Sequence, residues 1–184
     1  MSDSFHKNKV EILSEQEVRL TLKRLASQVL ETISDTKDLL LLGIPTRGVH
    51  LSKALARELQ KITGDSIDQG ILDPTFHRDD LVRVGTRISQ CTDLPSSVEA
   101  KEVVLIDDVI FTGRTIRASL EALQAWGRAR RVMLLTMVDR GHREVPIQPD
   151  FCGRLVPTSR SELIELRLKE IDGEEGVFLR KRMK

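Results

Sequence analysis

Two acidic residues stand side by side in the segment VVLIDDVIFTGRT, at Asp107 and Asp108, directly after four apolar residues. Like charges that close a buried strand repel each other and lose hydration, so the pair is a local cost unless hydroxyl donors, a metal ion or a cation meets it. The residues that follow, Thr112, Gly113, Arg114 and Thr115, suit an anion. Glycine lets backbone N–H groups approach closely, and the threonines add hydroxyl donors. An ionised carboxylate only accepts hydrogen bonds, so the acidic pair fits a ligand that presents hydroxyls, or a metal. A sugar phosphate offers both kinds of partner. On spacing alone two other readings stay open: adjacent aspartates after a strand also serve receiver-like phosphoacceptor or magnesium sites, and a Thr-Gly pair is also an ordinary helix cap.

The elements around these residues must bring them to one edge. KEVVLIDD reads as a buried strand, TIRASLEALQAWG as a helix that Gly127 can end, and RRVMLLTMV as another strand. Upstream, SEQEVRLTLKRLASQVLETI carries a capping-box pair, Ser14 with Glu17, and apolar residues at Val18, Leu22, Leu25, Val29 and Ile33, which predict a helix. DLLLLG then reads as a short buried strand and HLSKALARELQKI as a second helix. This alternation predicts an α/β domain with a mostly parallel sheet flanked by helices. Two loops, GIPTRG at 43–48 and DDVIFTGRT at 107–115, then fall at the carboxyl ends of strands, where open α/β sheets bind ligands. From about residue 139 the chain turns rich in Gly, Pro and charge, and Asp172-Gly173 could turn a hairpin. The expectation is one domain over 1–184 with a small C-terminal hood over about 139–184.

Composition sets the bounds. The chain has 184 residues, 40% hydrophobic and 31% charged, with a net charge of +1, which suits a globular protein and gives no global argument for a nucleic-acid partner. Cys91 and Cys152 lack metal-ligand spacing and read as unpaired thiols. The start, MSDSFHKNKVEI, has no apolar signal region, and no segment nears the roughly 20 apolar residues that span a bilayer, so the reading is a cytoplasmic protein with no membrane partner. His77 and His142 read as phosphate or surface contacts. Arg128, Arg130 and Arg131 suit the carboxyl end of the preceding helix, and Trp126 reads as core or interface.

Over its whole length VVLIDDVIFTGRT resembles the phosphoribosyl-pyrophosphate signature of the type I phosphoribosyltransferases. The segments GIPTRGVHLSKAL, DPTFHRDDL and VDRGHREVPIQPDFCGRLVPTS follow the order and approximate spacing of the bacterial pyrimidine operon regulators, a branch of that fold with uracil phosphoribosyltransferase activity. The resemblance runs from the first helix to about residue 179.

It implies specific roles. Asp107 and Asp108 would hold the ribose hydroxyls, and the loop of Val109, Ile110, Phe111, Thr112, Gly113, Arg114 and Thr115 would wrap the 5′-phosphate. Thr46 and Arg47 would contact the pyrophosphate, since a guanidinium offers planar paired donors. A mobile loop over about 73–88 would close over the substrates, with Arg78 and Arg87 as phosphate contacts. Arg140 and the backbone near Val156 would face uracil. Magnesium would arrive with phosphoribosyl pyrophosphate rather than in a protein cage. The implied partners are uracil, phosphoribosyl pyrophosphate, UMP and UTP, a second copy of the chain in a homodimer or larger assembly, and the leader of pyrimidine-operon mRNA.

For RNA, Arg24, Arg143 and Arg154 match the branch's basic face, but Ser27 replaces a usual histidine and Gln148 a usual arginine. Each lost cation weakens a backbone-dominated interface. Five Phe, one Trp and no Tyr are too few to suggest stacking platforms. Two alternatives therefore stand beside a bifunctional enzyme: an RNA-binding regulator with vestigial catalysis, and a phosphoribosyltransferase for another base.

Overall fold

The computed structural model describes residues 9–79, 92–95 and 97–181. Arg87, Cys91 and most of the expected mobile loop lie outside the described residues. The capping box starts the first helix as its residues predict: Ser14 Oγ accepts from the Glu17 N–H at 3.4 Å, and Glu17 Oε2 accepts from the Ser14 N–H at 2.8 Å. Strand β1 (Lys9–Ser14) leads into helix α1 (Glu15–Thr32), which buries Val18, Leu22, Leu25, Ala26 and Val29. There follow β2 (Leu39–Gly43), α2 (Arg47–Thr63), β3 (Asp68–Ile71), β4 (Glu102–Ile110), α3 (Arg114–Gln124), β5 (Arg131–Asp139), β6 (Phe151–Leu155), β7 (Glu162–Arg167), the single turn α4 (Lys169–Asp172) and β8 (Gly176–Lys181).

Among the described residues the strands form two sheets. Five run parallel in the order β3-β2-β4-β5-β6, and three run antiparallel in the order β1-β8-β7. Period-two alternation divides the core. Leu39, Leu41, Val104 and Ile106 face a layer with Leu22, Leu25, Leu51 and Leu55 of α1 and α2. Leu40, Leu42, Val103 and Leu105 face Ile116, Ala122 and Leu123 of α3. The expected parallel sheet with helices on both faces is therefore present.

Four boundaries differ from expectation. The lead-in to the first helix is a strand, β1, paired with β8, so the hood is built from both ends of the chain. Within the span assigned to the hood, β6 instead extends the main sheet beside β5. Asp172-Gly173 does lie between two antiparallel strands, but the connection is the turn α4, closed by Gly173 at φ 73°, rather than a two-residue hairpin. Helix α3 ends at Gln124, before Gly127.

Candidate active site

The acidic pair lies inside β4, which continues through it to Ile110. Parallel pairing to β2 on one side and β5 on the other fixes its place at the carboxyl edge of the sheet. Asp107 is 8% exposed and its Oδ1 accepts from the Asp108 N–H at 3.0 Å. Burial pushes the Asp107 carboxyl well above its ordinary range; the Asp108 charge adds to this, and the Arg78 charge opposes it.

The chain then turns at Gly113, whose φ of 85° only glycine adopts freely and where a Cβ would press within 2.7 Å of Val145 Cγ2. Helix α3 starts there with no side-chain cap. The Arg114 N–H makes a long hydrogen bond to Thr112 Oγ1 at 3.4 Å, and first-turn N–H groups of a helix are the donors that attract an anion. A cavity of about 370 Å³ gathers Arg78, Asp107, Val109, Ile110, Phe111, Thr112, Gly113, Arg114 and Thr115, together with Glu144. Arg78 Nη1 donates to Thr115 Oγ1 at 2.9 Å, which ties the start of the 73–88 loop to the edge of this cavity. Arg114 is turned outward: its guanidinium donates to Glu144 Oε2 and Asp79 Oδ2, each at 2.8 Å.

On the other side of β4, the first turn of α2 packs against the acidic pair. A Cβ on Gly48 would collide with the Ile106 carbonyl oxygen and touch Asp107 Cα at 3.4 Å, so Thr46 and Arg47 stand beside the carboxyl end of β4. Thr46 is exposed and makes no cap hydrogen bond. Arg47 is directed to the hood, where its Nη2 donates to Asp172 Oδ1 at 3.0 Å.

A third group forms where β5 ends. Arg140 is 4% exposed, and its N–H donates to the Ile110 carbonyl at 3.2 Å. Its guanidinium lies 4.1 Å from the Phe111 ring centre and donates to Thr158 Oγ1 and the Ser159 carbonyl. His142 meets the same Phe111 ring edge-on at 5.7 Å and donates from Nε2 to the Thr158 carbonyl. The Val156 N–H donates to the Asp139 carbonyl at 2.8 Å, which holds that backbone beside Arg140. Phe111, Arg140, His142 and Thr158 thus make one wall beyond the acidic pair. Thr158 and Glu144 were legible in the sequence only as members of VDRGHREVPIQPDFCGRLVPTS, with no role of their own.

The basic residues considered for RNA separate. Arg24 Nη2 donates to the Gly153 carbonyl at 2.5 Å, next to the 52%-exposed Arg154, so α1 and β6 present two cations on one face. Arg143 instead points inward: it pairs with Asp139 at 2.6 Å and donates to the carbonyls of Phe111 and Ile147, with 13% of its side chain exposed. Gln148 Oε1 accepts from the same guanidinium at 3.3 Å.

Residues 9–160 match the family model described as phosphoribosyl transferase domain. The chain is 48% identical over 170 residues to the bifunctional protein PyrR of Microcystis aeruginosa, covering 92% of this chain and 96% of that protein. It is 50% identical to the PyrR of Thermosynechococcus vestitus and 45% identical to that of Thermus thermophilus, covering 93% and 95% of those proteins. The chain belongs to the bifunctional PyrR family of phosphoribosyl transferase domains. Its fold is shared more widely. A hypoxanthine phosphoribosyltransferase of Staphylococcus aureus superposes with a TM-score of 0.71 at 20% identity, over 98% of this chain and 97% of that one. The corresponding enzyme of Trypanosoma cruzi superposes with a TM-score of 0.70 at 15% identity, over 93% of this chain and 95% of that one. Within the phosphoribosyl transferase domain, the acidic pair, the uncapped α3 terminus and the first turn of α2 lie at one edge of the sheet. No described helix is long and apolar enough to cross a membrane.

Proposed function

We propose that the chain transfers the phosphoribosyl group of phosphoribosyl pyrophosphate to uracil, giving UMP and pyrophosphate, and that the nucleotide-loaded protein binds the leader of pyrimidine-operon mRNA. One observation carries the enzymatic reading. The buried Asp107 carboxyl, with half-buried Asp108 next to it in β4, lines a cavity of about 370 Å³ together with the N-terminus of α3. Few ligands need hydroxyl acceptors and a phosphate cradle side by side, and an activated ribose phosphate is one.

The residues then divide the work. Asp107 and Asp108 accept from the ribose hydroxyls and orient C1. The backbone from Phe111 to Thr115 holds the 5′-phosphate. Arg47, with the backbone at Thr46, receives the pyrophosphate. Breaking the bond from C1 to the pyrophosphate oxygen leaves positive charge on the sugar and negative charge on the leaving group, so stabilising separated charge in a site closed to water lowers the barrier. Uracil, placed against Arg140 and the Val156 backbone, attacks C1 through a ring nitrogen, whose proton leaves with the departing pyrophosphate. Phe111 holds the Arg140 side of that wall, and Arg78 and Arg87 bring further cations to the phosphates.

The donor set suits magnesium. Among the described residues no three His, Cys, Asp or Glu side chains converge into a protein cage, while the buried Asp107 carboxylate gains from a nearby cation. Asp107 and Asp108 would hold such an ion jointly with substrate oxygens, and it would neutralise charge on the departing pyrophosphate.

The regulatory half of the proposal is supported by the outward cations Arg24 and Arg154, which share one face of α1 and β6. Assembly into homodimers would double that face, and the absence of a membrane-crossing helix among the described residues fits a cytoplasmic role. Following UMP formation from uracil, phosphoribosyl pyrophosphate and magnesium tests the enzymatic reading. Turnover with uracil and little with hypoxanthine or orotate is expected, and turnover with another base alone would overturn the assignment of uracil.

A further inference from the structure

An ion pair ties the hood to the first residue of α2. Arg47 Nη2 donates to Asp172 Oδ1 at 3.0 Å, across 125 residues of sequence. The Asp172 side chain is 16% exposed, and its other oxygen accepts from the Leu168 N–H at 3.0 Å, so the carboxylate is fixed at the end of α4. Glu170 of the same turn lies 3.6 Å from His50 and 3.8 Å from Arg57, further along α2. Arg47 is not fully used by this arrangement: one nitrogen meets one carboxylate oxygen, while its Nε is buried without a protein acceptor. A guanidinium is a rigid fork of donors matched to two oxygens of one phosphate.

We propose that Asp172 is an intramolecular competitor for the pyrophosphate of the substrate, holding Arg47 by one carboxylate oxygen and surrendering it when phosphate oxygens arrive. The proposal rests on the reading of this chain as a phosphoribosyltransferase with Arg47 at the pyrophosphate. The exchange is cheap because a partly exposed ion pair is weak. It is favourable because a multiply charged phosphate can occupy two arms of the fork at once. The same exchange runs backward as product leaves. Asp172 therefore raises the KM for phosphoribosyl pyrophosphate and speeds release of pyrophosphate.

Asp172→Asn tests this. The asparagine oxygen can still accept from the Leu168 N–H, and its amide nitrogen, a donor, then faces Arg47 and cannot hold it. Calorimetry with the full chain should show phosphoribosyl pyrophosphate and pyrophosphate each bound roughly threefold to fivefold more tightly than by wild type. The KM for phosphoribosyl pyrophosphate should fall, kcat should not rise, and the KM for uracil should stay put. Asp172→Ser, which keeps a small acceptor and removes the charge, should do the same if the asparagine variant folds poorly. Glu170→Gln, on the same turn, should leave both affinities unchanged. Equal or weaker binding by the folded Asp172 variants overturns the proposal, as does equal tightening by Glu170→Gln, which would make the effect one of general charge. A wild-type chain that takes up no phosphoribosyl pyrophosphate would instead strike the functional reading itself.

Discussion

Asp107 carries the sharpest consequence of burial. Its folded pKa is raised above the ordinary value of 3.8, so the folded chain binds this proton more readily than the unfolded chain. The group's contribution to stability is fully present below the ordinary value and is lost as pH rises through the folded value. Asp107→Asn should therefore unfold at higher denaturant than wild type at pH 7, with the advantage shrinking as pH falls toward 4; lower stability at pH 7 would contradict this. The same carboxyl must be ionised to accept ribose hydroxyls. Affinity for phosphoribosyl pyrophosphate should thus decline as pH is lowered through the raised value, and the substitution should abolish that inflection while lowering kcat/KM by about 100-fold. At this scale the sequence was legible where chemistry is contiguous, as in Asp107, Asp108 and the Thr112–Thr115 run. It was silent where chemistry is assembled: the contact of Phe111 with Arg140 and His142, and of both with Thr158, exists only once β4, β5 and the hood meet.

The elements place the site through close approach. Gly48 lets α2 come so near β4 that any Cβ would strike the Ile106 carbonyl. Gly48→Ala should cost about 1–3 kcal/mol of stability, as overpacking does, and should depress turnover by moving Arg47 and Thr46 away from Asp107; denaturant titration paired with steady-state kinetics checks both. Helix α1 and strands β2, β4 and β5 were readable because their apolar spacing is regular and their caps are explicit. Strand β1 was not, since KVEILS alternates charge with apolar residues at the chain's start and becomes a strand only by pairing with β8. Strand β3 was missed for a like reason: DQGI has almost no apolar content and is held by its parallel pairing to β2. The hairpin signal at Asp172-Gly173 gave the right pairing of β7 with β8, but its residues were drawn into α4 because Asp172 binds the Leu168 N–H and Arg47 instead.

For the whole molecule, the cations that the family resemblance grouped together serve two ends. Arg24 and Arg154 face outward, and replacing both by alanine should weaken binding to a pyrimidine leader and reduce the slope of log affinity against log salt by about two, as read by gel-shift titration over a salt series. Arg143 is part of the interior, tethering the Phe111 carbonyl and pairing with Asp139. Arg143→Ala should therefore cost roughly 3 kcal/mol of folding stability, the scale of a broken buried pair, and a variant as stable as wild type would return Arg143 to the surface role. The account as a whole stands on an activated ribose seated between the twin carboxylates and the turn into α3. A crystal soaked with phosphoribosyl pyrophosphate and magnesium tests this most directly. The ribose hydroxyls should lie against Asp107 and Asp108, with the 5′-phosphate on the backbone of residues 111–115; a sugar bound away from that edge, or no sugar at all at saturating concentration, would contradict it.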